Sequence, residues 1–306
     1  MKRSSVIFPG QGSQSIGMLS GLADEYVSIR DEVYQQTSDR LGYDVGRLIA
    51  EGPSEKLNQT EITQPVLLTV NHVLWRIWSE CVFVNTPPMA LAGHSLGEFN
   101  ALVASGCLQF EDALELVALR AQLMQQAVPE GVGAMAAILG LPDDVVEAIC
   151  REVAEDEVVS PANYNSPGQL VIAGHASAVE RAMLQAKSAG AKRAVILPVS
   201  VPSHCALMTE ASQALGERLD KLEMSPPKIP VFHNVNAAPC DELQAVRRAL
   251  VSQLAQPVHW TATIRSLSQL GVEQFYECGP GRVLTGLGKR IEKSVEWIAF
   301  EQEVSQ

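Results

Sequence analysis

Long apolar runs are missing from this chain of 306 residues: none approaches the roughly 18–20 residues that a membrane-spanning helix needs. The opening stretch MKRSSVIFPG is basic but carries only Val6, Ile7 and Phe8 before Pro9, too short an apolar segment for a secretory signal. A cytoplasmic protein is the expectation. Cysteine is sparse, with six residues at 81, 107, 150, 205, 240 and 278 and no C-x-x-C pair. Neither a disulfide framework nor a metal site is expected from that spacing, and reduced, buried thiols are. Positive charge is in short supply, 23 Lys and Arg against 35 Asp and Glu, for a net charge of −12. That balance argues against non-specific nucleic-acid binding while leaving room for a local basic patch. Low-complexity tracts and repeats at solenoid periods are also lacking.

What is present is a 46% apolar chain, ample for a sizeable core, in which short apolar runs alternate with helical patterns. SSVIFPG reads as a strand ending in a glycine turn, TQPVLLTVNHVLWRIWSEC as a helix with Pro65 near its first turn, and MALAG as a strand. Later come IPVFHNV, a helix from about Glu242, QFYECGP, a helix over RVLTGLGKRIEK, and VEWIAF. This alternation points to an α/β protein with a largely parallel sheet. The middle differs. From Gly133 the order is strand, helix (143–155), strand, NSPG turn, strand, helix (176–190), strand, the βαββαβ order of a ferredoxin-like unit. The expected division is a ferredoxin-like small subdomain at 129–198 inserted into a larger α/β domain of 1–128 and 199–306. A cleft between the two is a natural ligand site.

Gly93-His94-Ser95-Leu96-Gly97 follows a short apolar strand and precedes the helical pattern EFNALVASG. G-x-S-x-G in that setting fits a serine forced onto a sharp strand-to-helix turn, with the Leu96 N–H facing a developing oxyanion. The plainer alternative is a tight turn with a serine near a helix N-cap. A serine nucleophile needs a base, and six histidines are available. His72 sits within an apolar helix, and His94 need not point the same way as its neighbour. His204, in VSVPSHCALM at the mouth of a new helix, leads, with His233 and His259 behind it.

In EDALELVALRAQLMQQA, Arg120 has only apolar neighbours at three, four and seven residues: Val117, Leu116, Ala113, Leu123, Met124 and Ala127. An arginine on a buried stripe requires an anion. That anion is either an internal carboxylate, making a structural ion pair, or a substrate carboxylate gripped by the guanidinium fork. The first turn, FPGQGSQ, looks like a dinucleotide loop but places Ser15 where the third glycine belongs, so it fails that pattern. It remains a glycine turn able to aim the Gln11 N–H into a cleft.

Together the motifs resemble the malonyl-CoA:acyl-carrier-protein transacylases over essentially the whole chain. The resemblance rests on FPGQGSQ (8–14), TEITQP (60–65), GHSLGE (93–98), Arg120 before QLMQQA, NSPGQ (165–169), VPSHCALM (201–208), QLAQPVHW (253–260) and ECGPGRVLTGL (277–287). It implies an α/β-hydrolase-like large domain with the inserted ferredoxin-like subdomain. It also implies Ser95 as nucleophile, His204 as base, Gln11 and Leu96 as oxyanion-hole N–H donors, and Arg120 as the partner of the malonyl carboxylate. Gln253 matches the position whose main-chain carbonyl orients the histidine, and Gln64, Asn165 and Gln169 lie in matching motifs. The implied activity is acyl transfer for fatty-acid synthesis, with malonyl-CoA as substrate, coenzyme A as product, no bound cofactor, and acyl carrier protein as partner. A monomer is expected, and carrier docking would use Lys187, Lys192 and Arg193 or Arg282, Lys289 and Arg290. Alternatives are a free-standing acyltransferase of a polyketide synthase, since Ser203 stands at a position tied to extender choice, and a serine hydrolase or thioesterase.

Overall fold

A computed structural model describes residues 2–129, 131–199 and 201–305. Nine strands lie among them: β1 (Ser4–Phe8), β2 (Leu91–Gly93), β3 (Gly133–Leu139), β4 (Val159–Ser166), β5 (Gln169–His175), β6 (Arg193–Ile196), β7 (Val231–Phe232), β8 (Gln274–Glu277) and β9 (Glu296–Ala299). Five of them form a sheet ordered β7-β2-β1-β8-β9, in which every neighbouring pair is parallel. Central β1 is apolar through Val6, Ile7 and Phe8, all fully buried, as a strand covered on both faces must be. Helices Thr60–Ile77, Gly97–Ala104 and Phe110–Ala127 pack with it into the main core. The first of these begins upstream of the expected start, so Pro65 falls in its second turn rather than its first.

The remaining strands form an antiparallel sheet ordered β4-β5-β3-β6, with helices Asp143–Val153 and Ala176–Ser188 against one face. This is the ferredoxin-like arrangement read from the order of elements. The other face presents Met135, Ala162, Val171 and Ala173 to Cys205 of the larger unit. Tyr164 N–H donates to the Val258 carbonyl at 2.9 Å and Val258 N–H to the Ala162 carbonyl at 2.8 Å, tying β4 to the larger unit. The antiparallel sheet is thereby held over the carboxyl ends of β1 and β2, where ligands of open parallel sheets collect.

Candidate active site

The chain leaves β2 at Gly93 and enters helix Gly97–Ala104 within four residues. So sharp a reversal needs backbone against backbone. A Cβ on Gly93 would overlap the Gly97 carbonyl, and one on Gly97 would overlap the Phe8 carbonyl oxygen. Ser95 sits between them with φ +51°, a left-handed conformation uncommon outside glycine. Asn234, just beyond β7, holds the turn from both sides: its Oδ1 accepts from Ser95 N–H at 2.7 Å and its Nδ2 donates to the Gly93 carbonyl at 2.6 Å.

His204 Nε2 lies 2.8 Å from Ser95 Oγ, and His204 Nδ1 lies 2.7 Å from the Gln253 main-chain carbonyl. A carbonyl can only accept, so Nδ1 carries the proton and Nε2 turns its lone pair to the Ser95 hydroxyl. Burial, with Arg120 nearby, pushes the His204 pKa down to about 3. The other candidate bases are engaged elsewhere: His233 Nδ1 meets Glu98 Oε1 at 2.7 Å, and His259 stacks on Tyr164. His204 lies in the loop that follows β6, before the short 3-10 turn Ala206–Met208.

Arg120 is 1% exposed. Its Nη1 donates to Gln64 Oε1, and its Nη2 donates to Gln253 Oε1 at 3.1 Å and to Ser95 Oγ at 3.2 Å. Among the described residues no carboxylate bonds to it, and its Nε has no partner. The internal ion pair that the helix pattern allowed is therefore not formed. Burial pushes the Arg120 pKa down to about 10, with Glu98 opposing the shift.

Ser95, His204 and Arg120 line a cavity of about 90 Å³ with Gln11, Gln64, His94, Leu96, Met124, Met135, Asn163, Leu197, Val199 and Ser203. A Cβ on Gly10 would stand 2.5 Å from the His94 carbonyl oxygen, so glycine there lets the β1 turn approach the serine turn. Among the described residues neither the Gln11 nor the Leu96 backbone N–H has a protein acceptor. Two residues suggested by motif do not line the cavity. Asn165 stands behind it, its Oδ1 accepting from His94 Nε2 at 2.8 Å, and Gln169 accepts from Arg290 Nη1 at 2.7 Å on the surface. Asn163, two residues earlier on the same strand, takes the lining place. Asn234 and the buried Glu98 were not anticipated. The one signal for Glu98 is an acid in the otherwise uncharged helix start EFNALVA.

A larger open depression, about 730 Å³, lies at the amino ends of β1, β8 and β9. Four of its charges pair, Lys2 with Glu296 and Arg3 with Glu273. It contains neither the serine nor the histidine.

The acyl transferase domain family matches residues 6–304. The malonyl CoA-acyl carrier protein transacylase of Salmonella typhimurium is 52% identical over 291 residues, 95% of this chain and 93% of that protein. The chain belongs to this transacylase family. Its counterpart in Escherichia coli K12 is 51% identical over the same shares. Among solved structures, an acyl carrier protein S-malonyltransferase from Vibrio cholerae is 50% identical with a TM-score of 0.93, over 97% of this chain and 96% of that one. A malonyl-transacylase in complex with a type II PKS acyl-carrier protein is 48% identical with a TM-score of 0.94, over 96% and 94%. The transacylase fold here is accordingly the α/β-hydrolase-like parallel sheet with its antiparallel companion. Among the described residues no helix is long and apolar enough to cross a membrane.

Proposed function

We propose that the chain moves a malonyl group from malonyl-CoA to the phosphopantetheine thiol of acyl carrier protein, supplying extender units for fatty-acid synthesis. The observation that carries this reading is Arg120: a buried guanidinium without a carboxylate partner among the described residues, 3.2 Å from Ser95 Oγ. An unpaired buried cation beside a nucleophile suits an acyl group that brings its own acid.

In this reading Ser95 Oγ attacks the thioester carbonyl carbon while its proton passes to His204 Nε2. The oxyanion rests on the free N–H groups of Gln11 and Leu96. Collapse breaks the C–S bond, and the coenzyme A sulfur takes the proton from His204. The carrier thiol then gives its proton to His204 and attacks the malonyl ester, and Ser95 leaves and recovers the proton. Gln253 orients His204 through its carbonyl and Arg120 through its side chain, with Gln64 as the second brace of the guanidinium. Ser203, lining the cavity, bears on extender choice.

Carrier docking is assigned to local basic groups on an acidic protein: Lys187, Lys192 and Arg193, or Arg282, Lys289 and Arg290, all exposed. The catalytic domain would comprise 1–128 and 199–306 and the small subdomain 129–198, acting as a cytoplasmic monomer without bound cofactor. Intact mass after brief mixing with malonyl-CoA tests the central claim. A malonyl adduct that depends on Ser95 and persists until carrier protein arrives supports it. Steady malonate release without an adduct makes the chain a hydrolase.

A further inference from the structure

Glu98 carries a fully buried carboxylate that none of the roles above uses. It stands in the first turn of the helix that follows Ser95. Its Oε1 faces His233 Nδ1 at 2.7 Å, and its Oε2 accepts from the Asn234 backbone N–H at 3.0 Å and from Gln253 Nε2 at 2.8 Å. Gln253 presents its other amide atom, Oε1, to Arg120 Nη2 at 3.1 Å. A single amide thus separates the buried anion from the buried cation, with its oxygen toward the guanidinium and its N–H toward the carboxylate. That is the orientation both charges favour. His233 does not cancel the anion: its Nε2 is buried without a partner among the described residues, so an imidazolium would bury a second, unpaired N–H.

Burying a guanidinium is costly, and a carboxylate in direct contact is the usual remedy. Direct contact would also close the fork to any other acid. A counter-charge one amide away offsets the cost of burial and, among the described residues, leaves the guanidinium without a carboxylate in contact. From this arrangement we infer that Glu98 is the counter-charge of Arg120, a positioning residue set back so that the guanidinium stays open to the acyl carboxylate. The inference rests on the acid-bearing acyl reading above.

Two anions, Glu98 and the acyl carboxylate, then share one cation. Removing the first makes Arg120 more dependent on the second. The test is Glu98→Gln, which keeps an oxygen for Asn234 and Gln253 while its amide meets His233 Nδ1, the ring proton moving to Nε2. The ratio of malonyl to acetyl loading on Ser95, read by adduct mass, rises by about tenfold, the order expected for one like charge removed nearby inside a protein. The malonyl adduct also raises the melting temperature more in the variant than in the wild type. An unchanged or lower ratio overturns the inference. A wild type that loads acetyl as readily as malonyl instead strikes down the acid-bearing reading itself, so the two failures are distinguishable.

A second measurement covers poor folding of the single variant. Glu98→Gln combined with Arg120→Met removes both charges, and melts higher than either single variant. A double variant that melts no higher, or does not fold, overturns the pairing.

Discussion

Arg120 Nη2 lies within hydrogen-bond reach of both Ser95 Oγ, at 3.2 Å, and Gln253 Oε1, at 3.1 Å, so the buried guanidinium and the serine hydroxyl are parts of one bonded set. Replacing Arg120 by Ala should lower kcat/KM for malonyl loading by roughly 10–100-fold, the worth of a charged hydrogen bond. Acetyl loading should change far less, because acetyl has no carboxylate to lose. Stopped-flow or quenched loading with the two thioesters checks the split; equal losses on both would make Arg120 a scaffold for Ser95 alone.

The His204 pKa, held down to about 3 by burial and Arg120, sets the pH behaviour. The base form is present at every pH above that value, so kcat/KM for loading should run flat from about pH 5 to 8 rather than falling through the ordinary histidine range near 6.5. An inflection near 6.5 in kcat/KM for loading would contradict this.

Stability follows the same sign. Buried His204 and half-buried His72, each held down to about 3, bind protons more readily unfolded than folded between that value and about 6.5. Their contribution is therefore complete above about pH 6.5 and lost progressively toward pH 3. The urea midpoint should fall as pH drops from 7 to 4, and His72→Phe should flatten part of that slope.

Two glycine substitutions should move stability in opposite directions. Gly97→Ala places a Cβ against the Phe8 carbonyl, backbone that no rotamer change relieves, and should cost about 3 kcal/mol or more. Gly286→Ala, within helix Val283–Ile291 with nothing within 4 Å of the new methyl, should gain about 0.4–1 kcal/mol. Thermal and urea unfolding of the pair decide the matter.

Asn234→Ala withdraws the acceptor of Ser95 N–H and the donor to Gly93. Loading should slow by about tenfold with little change in the KM for malonyl-CoA, since losing these two buried hydrogen bonds loosens the turn and not the acid grip. A KM effect equal to the kcat effect would place Asn234 in substrate binding.

Local pattern determined a great deal here. Alternating apolar runs and helical stripes declared the parallel sheet, and the βαββαβ order declared the second sheet, because strand period, helix period and connection length are local properties. Gly93 and Gly97 around Ser95 marked the sharp turn, and the apolar neighbours of Arg120 marked a buried cation, since both signals lie within a few residues of the group they describe. Other facts depended on the folded chain. Asn165 and Gln169 sat in a suggestive motif, yet the turn between β4 and β5 sends one behind His94 and the other to Arg290. The choice of His204 over His233 and His259 rests on which side chain reaches Ser95 across 109 residues of sequence, and the lack of an internal carboxylate on Arg120 rests on what the helices beside it present. Glu98, Asn234 and Gln253 converge from segments up to 155 residues apart. No period or spacing encodes such a meeting; only the closure of the parallel sheet, which brings the ends of β1, β2 and β7 together, decides it.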